Sequence, residues 1–222
     1  FTAANGTLPN AIQSFTLTVK NGPIVVPNGI NSSPDTGNGS ISNNESIVDT
    51  LGITTLLVKF DQNVYDPAGD TDPKDVTNPA NYMLVIGSST GVFQTVSCLG
   101  GVQAPDVAIP ITSVTYNNST FTATVNVTNP INVIGFYRLY VCGTTSIVDA
   151  NNVNLELAGN GITPGTDFLI NFRIQARAAA GGGGGGNNNN ATPSVKASAS
   201  VIPASGFGLP ASAASREDAG GL

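Results

Sequence analysis

Residues 135–149 read GFYRLYVCGTTSIVD, and this stretch holds the densest run of β-forming side chains in the chain. Side chains alternate across a strand, so Tyr137, Leu139 and Val141 share one face while Phe136, Arg138, Tyr140 and Cys142 share the other. Aromatic and β-branched residues dominate both faces, the pattern of a central strand covered on each side. The expected home for such a strand is a β-sandwich.

Similar alternation recurs on both sides of it. In ITTLLVKF, from Ile53, Leu56, Val58 and Phe60 fall on one face, and strands are read at Asn81 to Ile86, Val92 to Cys98 and Ile109 to Tyr116. Phe121, Ala123, Val125 and Val127 then alternate with Thr122, Thr124 and Asn126, and Phe168, Ile170, Phe172 and Ile174 with Leu169, Asn171 and Arg173. Strands at this spacing make residues 51–176 a sandwich domain. Residues 1–20 read as a β-hairpin turning at Asn5-Gly6, with Phe15, Leu17 and Val19 forming its apolar face. Residues 21–50, rich in Pro, Gly, Asn and Ser, read as a polar linker with a short strand at Ile24 to Val26. Residues 177–222, opening AAAGGGGGGNNNN after Gln175-Ala176-Arg177, read as a low-complexity tail unable to repay its ordering entropy alone.

Absences narrow the chemistry. The chain has no His, no Trp and one Met, Met83, which removes histidine-based triads and His-ligated zinc. A net charge of −6 with no basic cluster argues against nucleic acid and anionic membrane as partners. No recognisable nucleophile motif is present, and the loop aspartates lie close together on one segment with no Trp to serve as a sugar platform. No enzyme is expected. The chain opens on Phe1 and lacks both a signal segment and an apolar run of spanning length, as expected of a processed chain or a piece of a longer one.

Three groups of residues stand out as candidate sites. Asp66, Asp70, Asp72 and Asp75 crowd into DPAGDTDPKD, where a hard Ca²⁺ ion completed by Asn78 or carbonyl oxygens would relieve their repulsion. A solvated acidic loop is the competing reading, and the same two readings apply to Asp35, Asn38, Ser40 and Glu45 in the linker. Cys98 and Cys142 form the sole cysteine pair, and a disulfide between them closes a loop of about 45 residues, worth about 3 to 4 kcal/mol. Phe15, Leu17 and Val19 are candidate assembly residues, an apolar face in need of a partner. Tyr140, two residues before Cys142, has the spacing of a tyrosine corner. Sequons at Asn5, Asn31, Asn38, Asn44, Asn117, Asn118, Asn126 and Asn190 mark surface, and with the cysteine pair they suit an extracellular, cell-surface location.

The words LLVKFDQNVYD, NPANYMLV, FYRLYV and SIVDANN resemble the Ig-like domains of bacterial S-layer and adhesion proteins, a likeness covering about Gly52 to Ile174. Asp149-Ala150-Asn151-Asn152 stands where that pattern has an Asp-x-x-Gly-Asn turn. FTAANG and QSFTLTV resemble the last strands of a cadherin-like Ig repeat, and IPASGF, from Ile202, is similar to cell-wall sorting signals but lacks their apolar helix. The resemblance implies an all-β, Ig-like antiparallel β-sandwich with an N-terminal hairpin extension. Its expected role is that of a structural subunit of a surface filament, fimbria or layer. Such a subunit associates with identical copies or neighbouring Ig-like domains by β-strand addition. The alternative is a calcium-dependent adhesin or carbohydrate-binding module of a larger surface protein.

Overall fold

β-branched and aromatic residues at every second position lay the chain out as strands. The computed structural model describes residues 2–3, 11–12, 21–37, 39–48 and 51–176, the first two pairs by backbone alone. In chain order the strands are β1 (Thr2–Ala3), β2 (Ala11–Ile12), β3 (Val25–Ser33), β4 (Glu45–Ile47), β5 (Ile53–Phe60) and β6 (Tyr82–Ile86). After these come β7 (Val107–Ile109), β8 (Ile111–Asn117), β9 (Thr122–Ile131), β10 (Gly135–Val141), β11 (Val148–Asp149), β12 (Asn152–Glu156) and β13 (Phe168–Ile174). A single 3-10 turn, Pro79–Asn81, precedes β6, and its start is capped by the Asn78 side chain accepting from the Ala80 N–H at 3.0 Å. No α-helix occurs among the described residues, and none of them forms a helix long and apolar enough to cross a membrane.

Two sheets face each other. One has the order β3-β5-β9-β8, all antiparallel; the other has the order β4-β13-β10-β6-β7, antiparallel except that β4 runs parallel to β13. Between them lie Leu56, Val58 and Phe60 from β5, Ala123 and Val125 from β9, Leu139 and Val141 from β10, and Ile170, Phe172 and Ile174 from β13. These are the residues whose alternation marks an inward face. Tyr137 stacks on Phe172 with ring centroids 5.4 Å apart, and Phe60 meets Tyr116 edge-on at 6.5 Å. β10 sits at the middle of its sheet, paired with β13 on one side and β6 on the other.

The structure corrects the sequence reading in three places. The expected linker at 21–50 carries β3 and β4, and Ile30, Ile41 and Ile47 enter the core. Its Pro27, Asn28 and Gly29 fall where the register of β3 shifts, so turn-forming residues mark an irregularity inside a strand. The single strand read at Ile109 to Tyr116 is two, because Pro110 cannot donate to a ladder and the chain changes sheets there, leaving β6 and joining β9. Val92 to Cys98 forms no strand; it crosses the outer face of the second sheet as irregular chain. Phe15, Leu17 and Val19 lie outside the described residues, as do Asn38 and the tail beyond residue 176.

Candidate functional site

The outer face of β10 is the starting point. Arg138 and Tyr140 project from it beneath the irregular chain of residues 88–106. The Tyr140 hydroxyl and Arg138 Nη1 both donate to the carbonyl of Thr95, and the Arg138 guanidinium lies 4.2 Å from the centroid of the Phe93 ring. Arg138 Nε also donates to Asn171 Oδ1 at 2.6 Å. Asp106 fixes the same segment, its Oδ2 accepting from the N–H groups of Gln94 (2.9 Å) and Thr95 (2.7 Å). Tyr140 thus bonds to a segment far back in the chain, unlike a tyrosine corner, which reaches only a few residues upstream.

One end of this segment is locked covalently. Cys98 and Cys142 are disulfide-bonded with their Cα atoms 5.7 Å apart. Asp167 organises the surroundings: Oδ2 accepts from Cys98 N–H at 2.7 Å, and Oδ1 accepts from the N–H groups of Gly143 and Thr144 and from the Thr144 hydroxyl. Gly143 permits the turn, since a Cβ there would stand 2.1 Å from the Thr166 carbonyl oxygen. Cys98, Cys142 and Asp167 form the only trio of acidic or cysteine ligand atoms within 4.8 Å of one another among the described residues, and the disulfide already occupies both sulfurs.

The acidic loop lies at the same end of the sandwich, leading into β6 at Tyr82. Its four aspartates have separate duties. Asp75 is fully buried and accepts through Oδ1 from the Thr77 N–H and hydroxyl, each at 2.8 Å, while its buried Oδ2 has no partner. Asp72 caps the Lys74 N–H at 2.8 Å, and Asp70 accepts from the Thr77 hydroxyl at 3.2 Å. Asp66 is exposed, yet partial burial, then Asp75 and Asp70, push its carboxyl above the usual carboxylate range. Asn78 Nδ2 donates to the carbonyl of Asp72 at 3.0 Å. The four aspartates therefore bring no three carboxylates together as one metal cage. In the expected linker site, Asp35 accepts from Gly37 N–H and Glu45 from Ser42 N–H, each a local turn bond. Asp149 does form a turn despite its altered following residues, with Oδ1 accepting from Asn151 N–H at 2.8 Å.

At the opposite end, beside Gly135 and Ile174, the outer face opens into a cleft of about 270 Å³ whose lining includes Phe93, Phe136, Asn171 and Arg173. A second depression of about 320 Å³ shares Phe136 and Arg173 with it. Gly91, at φ +78°, lets the chain approach the Phe136 ring, which a Cβ would meet at 3.0 Å. Arg173 is exposed, lies 5.5 Å from the Phe136 centroid and donates to Gln175 Oε1 at 3.1 Å. It faces no carboxylate among the described residues.

No protein-family model matches this chain, and no curated protein matches it. Among solved structures, the S-layer protein rSbsC(31-844) shares 14% identity at a TM-score of 0.33, with 68% of this chain and 13% of that one covered. Domains 1-6 of surface layer protein SbsC share 15% at 0.32, again over 68% and 13%. PcoC, a methionine rich copper resistance protein from Escherichia coli, shares 12% at 0.36, over 69% of this chain and 98% of that one. The chain thus spans 13% of the S-layer proteins it resembles in shape. Likeness at this level identifies no relative.

The arginine cleft, Asp106 and Asp167 were not among the residues singled out from sequence. Alternation sets Arg173 opposite the apolar face of its strand and puts Arg138 on the face of Phe136 and Tyr140, but only the register Phe136↔Arg173 and Arg138↔Asn171 makes them neighbours. Asp106 and Asp167 carry no local signal, since the groups they hold are 11 and 69 residues distant.

Proposed function

We propose that this chain is an extracellular structural protein, a subunit of a bacterial surface filament or layer that joins its neighbours by β-strand addition. The observation that carries the reading is the open edge of β8. Among the described residues it pairs on one side alone, with β9, and it is longer than the three-residue edges β4 and β7. An unpaired edge of this length offers main-chain donors and acceptors to an added strand. Among the described residues β1 and β2 pair only with each other, and two strands alone are marginal in water. The alternation of Phe15, Leu17 and Val19 supplies the apolar side of the donor. The disulfide supports an oxidising, extracellular compartment. No catalysis is assigned.

Electron microscopy of the full chain beside a Leu17→Pro variant tests this. Proline removes a main-chain donor from the added strand, so regular fibres or sheets are expected from the parent chain and scattered particles from the variant. Equal assembly by both, or none by either, overturns the reading.

A second reading, a calcium-dependent adhesin, draws on one observation, the partnerless buried Oδ2 of Asp75. A hard cation held there with Asp66 or Asp70 and carbonyl oxygens would satisfy it. On this reading millimolar Ca²⁺ raises the melting temperature and a chelator reverses the rise; unchanged melting removes it.

A further inference from the structure

The two polar features of the sandwich stand at opposite ends. Register fixes this: Tyr82 pairs with Val141 and Val141 with Phe168 at the acidic-loop end, while Ile86 pairs with Tyr137 and Gly135 with Ile174 at the cleft end. Residues 68–73 are exposed, and a Cβ on Gly69 would touch nothing within 4 Å, so the loop tip projects clear of the fold. In a chain of net charge −6, Arg173 and the half-buried Arg138 put two cations on one face beside Phe136 and Phe93. An exposed guanidinium that faces no carboxylate among the described residues and exposed carboxylates whose one loop lysine, Lys74, donates to the Val153 carbonyl complement each other across a contact between copies.

We propose that the Arg173 cleft receives the acidic loop of a second copy, Asp66 and Asp70 foremost, so that copies line up head to tail. This rests on the self-association proposed above and adds its direction. A contact between unlike ends is head to tail, and it generates an open file of subunits wherever its rotation does not close a ring. Magnitude limits its role. An exposed arginine–carboxylate pair is worth a factor of about five in association, so the contact sets polarity and spacing while strand addition supplies most of the affinity.

The test uses full-length chains that all carry Leu17→Pro, which removes strand addition and isolates the end-to-end contact. The resonances of the Gly91 amide and the Arg173 Nε–H are followed by NMR from micromolar to millimolar concentration at low salt. They are expected to move with concentration. Arg173→Glu weakens the movement about five-fold, as does added salt. Mixing Arg173→Glu with Asp66→Lys/Asp70→Lys restores the movement of Gly91, because the exchanged charges again attract. Resonances that stay still in the parent, or move equally in the Arg173→Glu variant, overturn the proposal, as does a mixture that restores nothing. Failure of strand addition has a different signature: fibres that persist in Leu17→Pro, whatever residue 173 carries.

Discussion

Asp66 shows how partial desolvation, reinforced by neighbouring carboxylates, acts on a single surface residue. Its carboxyl is pushed above its ordinary value of 3.8 by burial first, then by Asp75 and Asp70. A carboxyl with a raised folded pKa binds protons more readily in the folded state, so its contribution is lost as pH rises through that pKa. The ionised form therefore strains the native loop at neutral pH. Asp66→Asn is expected to raise the melting temperature at about pH 7 and to leave it unchanged at about pH 3, where the carboxyl is protonated in both states. A melting temperature that falls at neutral pH would show that Asp66 makes a favourable contact there. The crowding of Asp66, Asp70, Asp72 and Asp75 was plain in the sequence. Their division into one buried acceptor, one cap and two exposed charges was not, because burial of Asp75 depends on Thr77 and on Asn81, whose Nδ2 donates to the Asp75 carbonyl.

At the scale of elements, the segment across the second sheet has no ladder to hold it. Its long-range attachments are the disulfide, the Asp167 carboxylate that accepts from Cys98 N–H, and the Thr95 carbonyl that accepts from Arg138 and Tyr140, while Asp106 Oδ2 braces the segment internally. Opening the Cys98–Cys142 bridge with a Cys98→Ala/Cys142→Ala variant is expected to cost about 4 kcal/mol in urea unfolding by loop-closure arithmetic. Limited proteolysis should then cut between Val92 and Asp106 while both sheets remain intact. A stability loss under about 1 kcal/mol would mean that the side-chain bonds already fix the segment without the bridge. The strand read at Val92 to Cys98 carries apolar Val92 and Val96, yet both are exposed. Strands β5, β9 and β13 were legible because their patterns report one buried face each, and β10 because β-forming residues dominate both of its faces. Of β3 only the start was legible, as the short strand at Ile24 to Val26, since Pro27, Asn28 and Gly29 hide the rest behind turn chemistry, and β4 was not, since three residues carry too little pattern.

For the whole molecule, residues 21–48 belong to the sandwich as fully as those after 51. Ile24 and Asp61 exchange backbone and side-chain bonds, and Ala158 N–H donates to the Pro23 carbonyl at 2.8 Å. A chain shortened to residues 51–222 loses β3, one of two partners of β5, β4, one of two partners of β13, and the core residues Ile30, Ile41 and Ile47. It is expected to be insoluble or to melt well below the parent, as differential scanning calorimetry would record; equal melting would return 21–50 to the role of a linker. The entry and exit of the chain carry one more consequence. It joins β3 beside Phe60 at the acidic end and leaves β13 at Ile174 at the cleft end, where Gln175 N–H still donates to Ile47 of the parallel strand β4. Tension pulled through the backbone therefore runs along the strands and loads the ladders in shear, so that many hydrogen bonds must yield together instead of one after another. A tether built this way resists being drawn out, and the force that opens it is set by its unfolding barrier more than by its equilibrium stability.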